Sequence, residues 1–268
     1  TSNLHSQMSH NTRQVKDKHD ESKDTHHFGK QRNGKTRLCL TGERAPKEDT
    51  PKVDILAHRI GTRGLIPLWD KGVILQYRFD ERSLKRSKRT KQEILALFHK
   101  AISQWGDAVP VMFLENRALW DFEFVVRERE DCDNSGCVLA SAFFPGGGQQ
   151  QLTIYPTMFD DQSENDQIET LTHELGHVFG LRHWFAKRED KQSGGGWRSE
   201  VFGSESPFTI MNYGEKCMLT DTDKKDLKLL YAMAWSGELT EINGTPIVLF
   251  KPFSAHAPLP NRKRKNEP

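Results

Sequence analysis

The stretch His173-Glu174-Leu175-Gly176-His177-Val178-Phe179-Gly180-Leu181-Arg182-His183 combines three imidazoles, a carboxylate and two glycines at a spacing with mechanical meaning. On a helix, positions 173 and 177 lie one turn apart, so both rings leave the same face. Glu174 is rotated from them by about 100°. It is badly placed as a third ligand and well placed to reach a water held near the metal. Gly180 lets the backbone leave the helix sharply, where a β-carbon would be costly. The chain then doubles back and brings His183 in from the other side. Three neutral imidazoles with an open fourth position describe a catalytic rather than a structural zinc site. There Glu174 would take a proton from water. The alternative is a helix with two surface histidines and an accidental third. Every fixed position of H-E-x-x-H-x-x-G-x-x-H is filled, which favours the metal.

Such a site needs elements to hold it. Asn165 or Asp166 can cap a helix running from about Ile168 to Phe179, with Gly180 at the C-terminal capping position. Thr90-Lys91-Gln92-Glu93 fits a capping box. Ile94, Leu97, Phe98, Ala101, Ile102 and Trp105 then recur at helical spacing, up to Gly106. A third helix fits residues 223–234, with Leu227, Leu230, Tyr231 and Ala234 on one face. Residues 72–79 read as a strand with Leu75, Tyr77 and Phe79 on one side. Residues 111–114, 122–126 and 151–155 read as further strands, the last stopped by Pro156. The basic run Arg82, Lys85, Arg86, Lys88, Arg89 and Lys91 reads as a solvated loop leading into the first helix; a nuclear signal or an anion site are the other readings.

Composition narrows the function classes. The chain has 268 residues, of which 35% are hydrophobic and 28% charged. That is polar for one compact globule, so part of the chain is expected to lie outside the core. A formal net charge of +2 argues against a strong field for nucleic acid or membrane. No apolar run approaches the roughly 18–20 residues of a membrane span, and no signal peptide is visible at the first residues. Residues 1–58 read as disordered or as a pro-segment, 59–240 as a catalytic domain and 241–268 as a C-terminal tail. Cys132 and Cys137 bracket a turn-forming Asp-Asn-Ser-Gly stretch, open to either a small disulfide or two thiols. The pairing of Cys39 and Cys217 is likewise open.

The extended motif resembles that of the metzincin zinc endopeptidases. Thr209-Ile210-Met211-Asn212-Tyr213-Gly214 resembles their methionine turn, in which Met211 would form a hydrophobic floor under the metal. The order Met-x-Tyr-Gly is similar to astacins, which implies that Tyr213 ligates the resting metal and then stabilises the oxyanion. Ile66-Pro67-Leu68-Trp69 resembles the start of an astacin catalytic domain. Ala101-Ile102-Ser103-Gln104-Trp105 and Pro110-Val111-Met112-Phe113 resemble astacins and matrixins. Ala142-Phe143-Phe144-Pro145-Gly146 and the Asp226-to-Tyr231 helix resemble matrixins. Trp184 stands where astacins often carry a glutamate, and matrixin calcium aspartates are not evident, so no calcium is expected.

The resemblance implies an α+β metzincin fold: a twisted, mostly parallel sheet, an active-site helix and a methionine turn. It implies an astacin-like, secreted zinc endopeptidase with one zinc on His173, His177 and His183, and with Glu174 and Tyr213 as catalytic groups. Protein or peptide substrate would lie beside an edge strand near residues 151–155, with the loop 184–208 walling the pocket. Arg37-Leu38-Cys39 resembles the matrixin pro-segment cysteine, whose thiolate plugs the metal; an ordinary or disulfide-bonded cysteine is the other reading. A catalytically silent zinc-bound binding module of the same fold is the alternative function.

Overall fold

A computed structural model describes residues 37–39, 64–133, 136–160, 162–183, 200–203, 208–212 and 216–257. In chain order the strands are β1 (Arg37–Cys39), β2 (Ile66–Trp69), β3 (Ile74–Phe79), β4 (Met112–Glu115), β5 (Phe122–Val126), β6 (Cys132–Asp133), β7 (Gly136–Ser141), β8 (Gln150–Ile154), β9 (Glu241–Ile242) and β10 (Thr245–Phe250). The α-helices are α1 (Glu81–Ser87), α2 (Lys91–Trp105), α3 (Thr157–Asp160), α4 (Glu164–Val178), α5 (Asp221–Ser236) and α6 (Phe253–His256).

The architecture is α+β. The main sheet runs β1-β7-β8-β5-β3-β4, with β6 pairing β7. Only the β7–β8 and β6–β7 pairings are antiparallel, so the sheet is mostly parallel. One face is aromatic because alternate residues share a side. Leu75, Tyr77 and Phe79 of β3 are buried there with Phe122 and Phe124 of β5. Phe98 of α2 packs edge-on against Tyr77, Phe113 and Phe124, which ties that helix to the sheet. Buried Trp105, at the end of α2, donates its indole N–H to Thr172 O of α4 at 3.0 Å and so joins the two long helices.

Helix limits follow caps. Thr90 and Glu93 form the expected capping box of α2, and Gly106 closes it. The metal-motif helix α4 starts earlier than expected: Ser163, not Asn165 or Asp166, is its cap, with Asp166 completing a capping box. Thr220 and Asp223 do the same for α5. The basic run is not a loop: Asp80 accepts from Arg82 N and Ser83 N and nucleates α1. Three of its cations pair with acids, Arg86 with Glu128, Arg89 with Asp160 and Lys91 with Glu115.

Two stretches expected to lie outside the core contribute structure. Residues 37–39, within the expected pro-segment, add β1 in parallel to β7. Residues 241–257, read as tail, form the β9–β10 hairpin and α6. β10 pairs in parallel with β2 from Ile247↔Ile66 to Phe250↔Trp69. Asp121, buried at the start of β5, accepts from Ser254 N at 2.6 Å and Ser254 Oγ at 2.9 Å, and so anchors α6. The remainder of the expected tail, and Arg262 to Lys265 with it, lies outside the described residues.

Candidate metal centre

Helix α4 carries His173, Glu174 and His177 in its buried last turns. It ends by a Schellman arrangement: Leu181 N donates to Gly176 O and Gly180 N to His177 O, each at 2.9 Å. Gly180 has φ +91°, the left-handed conformation this turn requires. A β-carbon there would also stand 2.6 Å from Pro67 O of β2. The glycine is therefore fixed twice, by its dihedral and by the strand pressed against it. The turn brings buried His183 back toward α4.

The orphan carbonyls at the end of α4 are met by buried donors from distant elements. Trp69 Nε1 donates to Val178 O at 2.7 Å, and Tyr231 Oη to Phe179 O at 3.0 Å. Trp69 N donates to the same tyrosine oxygen, and Trp235 Nε1 to Trp69 O. Strand β2 and helix α5 thus clasp the end of the motif helix. Below it, Gly176 allows Met211 to approach so closely that a β-carbon would overlap the methionine sulfur. Met211 is buried, in the floor position the methionine-turn resemblance implied.

The three imidazoles converge. His173 Nε2, His177 Nε2 and His183 Nε2 stand 3.1–3.2 Å from one another. Cys39 Sγ of β1 lies 3.5 Å from His177 Nε2. The ligand atoms of these four buried residues all lie within 4.8 Å of one another. The ring orientations are set from outside: His173 Nδ1 donates to Ile210 O at 2.7 Å, and His177 Nδ1 to Leu181 O at 2.8 Å. A carbonyl only accepts, so each Nδ1 carries the proton and each Nε2 presents a lone pair inward.

The donor set fits a zinc ion. Imidazole nitrogens about 2.0–2.1 Å from a tetrahedral centre stand roughly 3.3 Å apart, and a thiolate at about 2.3 Å stands roughly 3.6 Å from an imidazole nitrogen. The three imidazole separations and the Cys39–His177 separation are within a few tenths of an ångström of these values. Burial keeps the rings neutral, as ligands need to be. Desolvation pushes His173 down to about 4, against the opposing bond to Ile210 O. Desolvation first, and neighbouring imidazoles second, push His177 and His183 well below the ordinary histidine value. Glu174 is fully buried in the same helix turn.

Tyr213, the remaining expected catalytic residue, lies outside the described residues, as do Trp184 and most of the loop after it. Cys132 and Cys137 form a disulfide that closes the β6–β7 hairpin, resolving the two readings of that pair. Cys217 is half-buried and outside that bond. The expected edge strand is a correction. Residues 150–154 form β8 between β5 and β7; β5 pairs its whole length, and β7 pairs Thr153 and Ile154, so the edge at its C-terminal end is taken. On that side β7 follows and β1 is outermost, with Arg37 opposite Cys137. Missed in the sequence were β7 and the Trp69–Tyr231 clasp. An apolar Gly-Cys-Val-Leu-Ala-Ser run without alternation was the available signal for the strand, and no spacing signals the clasp.

Comparison with known proteins agrees with this geometry. Residues 68–189 match the family model described as Matrixin. Metalloendoproteinase 4-MMP of Arabidopsis thaliana is 27% identical over 132 residues, which are 44% of this chain and 38% of that protein. Metalloendoproteinase 1-MMP of the same plant is 30% identical over 108 residues, 35% of this chain and 30% of that protein. The chain thus matches about a third of the length of these relatives. Among solved structures, a hatching-enzyme zinc protease of the medaka fish Oryzias latipes, high choriolytic enzyme 1, has 14% identity and a TM-score of 0.42, covering 62% of this chain and 94% of that one. Myroilysin has 13% identity and the same TM-score, covering 61% and 95%. The matrixin-type match spans the helix, the turn and all three converging histidines, and so supports a zinc metalloprotease of the metzincin type.

Proposed function

We propose that this protein is a zinc-dependent endopeptidase, held latent by its own N-terminal segment. One observation carries the reading: three imidazole Nε2 atoms meet at ligand spacing beside a fully buried glutamate on the motif helix. His173, His177 and His183 would hold the ion. Zinc, when bound, supplies Lewis acidity that polarises a carbonyl and acidifies water. Glu174 takes a proton from the attacking water and delivers it to the leaving amine. Tyr213 donates to the oxyanion, by its resemblance to the astacin tyrosine. Met211 supports the helix from below, and the carbonyls of Ile210 and Leu181 hold the imidazoles of His173 and His177 in register. A protein substrate adds a strand along β7 once β1 has left it. The matrixin match favours that branch over the astacin one for the domain as a whole. A secreted setting is supported by the Cys132–Cys137 disulfide.

Cys39 supports latency. Its thiol completes a four-donor set, and it is carried by a three-residue strand on the sheet's outer side. The same observation favours one competing reading. A closed set of one cysteine and three histidines, with no open position, is the pattern of structural zinc. That would make the chain a silent, zinc-bound binding module. A buried Glu174 has no use in such a module.

The test compares the full chain, the chain lacking residues 1–60 and that truncated chain carrying Glu174→Gln. Bound metal and casein cleavage are measured with and without a chelator. One zinc per chain in all three, with chelator-sensitive cleavage in the truncated form alone, is the expected result. The glutamine variant should lose roughly 10²–10⁴-fold in turnover. Zinc without cleavage in the truncated chain would establish the silent module.

A further inference from the structure

We infer that Asn243 is an acceptor for N-linked glycosylation. Asn243-Gly244-Thr245 has the form N-x-T, and no other asparagine in the chain is followed two residues on by serine or threonine. The structure puts this triplet where a large polar group fits. β9 and β10 are joined by a two-residue loop, with Ile242 paired to Thr245. Asn243 has φ +50° and Gly244 φ +80°, the left-handed pair of a type I′ hairpin turn. Both loop residues are exposed. A β-carbon built on Gly244 meets nothing within 4 Å, so the tip faces open space.

A second observation concerns the compartment. The Cys132–Cys137 disulfide, which closes the β6–β7 hairpin, forms and persists where the environment is oxidising. That is also where lipid-linked oligosaccharides meet nascent chains. The inference shares the secreted setting proposed above and is independent of whether the metal centre is catalytic.

The transfer is chemically simple. A bond forms between Asn243 Nδ2 and C1 of the oligosaccharide. The bond between C1 and the pyrophosphate of a polyprenyl-linked donor breaks, the lipid pyrophosphate leaves, and one amide proton is released. In the fold, Thr245 is buried and its hydroxyl donates to Glu200 Oε1 at 2.9 Å, while Asn243 Nδ2 donates to Glu200 Oε2 at 2.8 Å. The hydroxyl is accessible only before the hairpin meets Glu200, so transfer precedes docking. Afterwards Nδ2 keeps one hydrogen, which still serves Glu200. The glycan then stands beside Glu200, on the C-terminal side of the segment that follows the third histidine.

The experiment expresses the full chain behind a secretion leader in a eukaryotic cell. Wild type, Asn243→Gln, Thr245→Ala and Thr245→Ser are treated with peptide N-glycosidase. The expected result is a single mobility step for wild type and Thr245→Ser, with aspartate at 243 after enzyme treatment by peptide mass spectrometry. Asn243→Gln and Thr245→Ala should show no step. Secreted wild type with unmodified Asn243, or a step that persists in Asn243→Gln, would overturn the inference. The Thr245 pair separates loss of the acceptor from loss of folding, because both variants keep the asparagine.

Discussion

At the scale of single residues, Gly180 and Cys39 make the sharpest claims. Gly180 is constrained by a φ of +91° and by Pro67 O. Gly180→Ala therefore adds left-handed strain and a clash with strand backbone, a loss of about 1–3 kcal/mol. Urea denaturation of the metal-free protein measures it. Zinc affinity should fall as well, because the same turn supplies Leu181 O to His177. Unchanged affinity with lowered stability would separate the turn's structural role from its role at the site. For Cys39, substitution by serine in the full chain should raise peptide cleavage by about tenfold or more, the factor that 1.4 kcal/mol of preference for the plugged state would give. Equal rates for Cys39→Ser, the truncated chain and wild type would remove the thiol from any latency. The candidate ligand pair His173 and His177 was legible in the sequence because a helical turn fixes the geometry of residues four apart. Cys39 was legible only as one of two readings, since nothing local links it to residues more than a hundred positions away.

Among the elements, β2 does the most for its length. It takes β10 on one edge, and its indole caps Val178 O at the end of α4. Trp69→Phe keeps an aromatic ring there but leaves that buried carbonyl without its donor, a cost of about 1–3 kcal/mol before the smaller ring's lost packing is added. Thermal unfolding should register the loss, and a matched change at half-buried Trp120 should not. Helix periodicity was readable for α2 and α5, since their buried residues recur at three and four, whereas α4 buries Leu171 to Val178 without a break and was readable from its motif spacing. The start of α2 was readable from its Thr90–Glu93 capping box, but the caps of α4 and α5, Ser163 and Thr220, were not picked out. The basic run was misjudged for the same reason: a single capping aspartate, Asp80, and two buried residues, Ser83 and Leu84, hold α1 in place despite its charge.

For the whole molecule, the three buried imidazoles couple stability to pH. Their folded values lie below the unfolded value of about 6.5, with His173 at about 4. Between those limits the unfolded chain binds protons that the folded chain refuses, so stability rises with pH. The metal-free protein should therefore lose stability as pH falls from about 6.5 toward 4, by up to about 1.4 kcal/mol per pH unit for each histidine fully in its window. Zinc should raise the melting temperature strongly at pH 7 and weakly at pH 5, since its ligands have to be deprotonated. Calorimetry across that range, with and without zinc, reads both. The sequence by itself determined the metal-motif helix, because it follows from short fixed spacings; the methionine beneath it and the α+β class followed from the resemblance to metzincins. Only the tertiary structure decided that β8 lies inside β7 and β1, that residues 241–257 brace β2, and that Cys39 reaches the histidines. Those are facts of strand order and chain return, set by contacts between residues far apart in sequence, for which local patterning carries no signal.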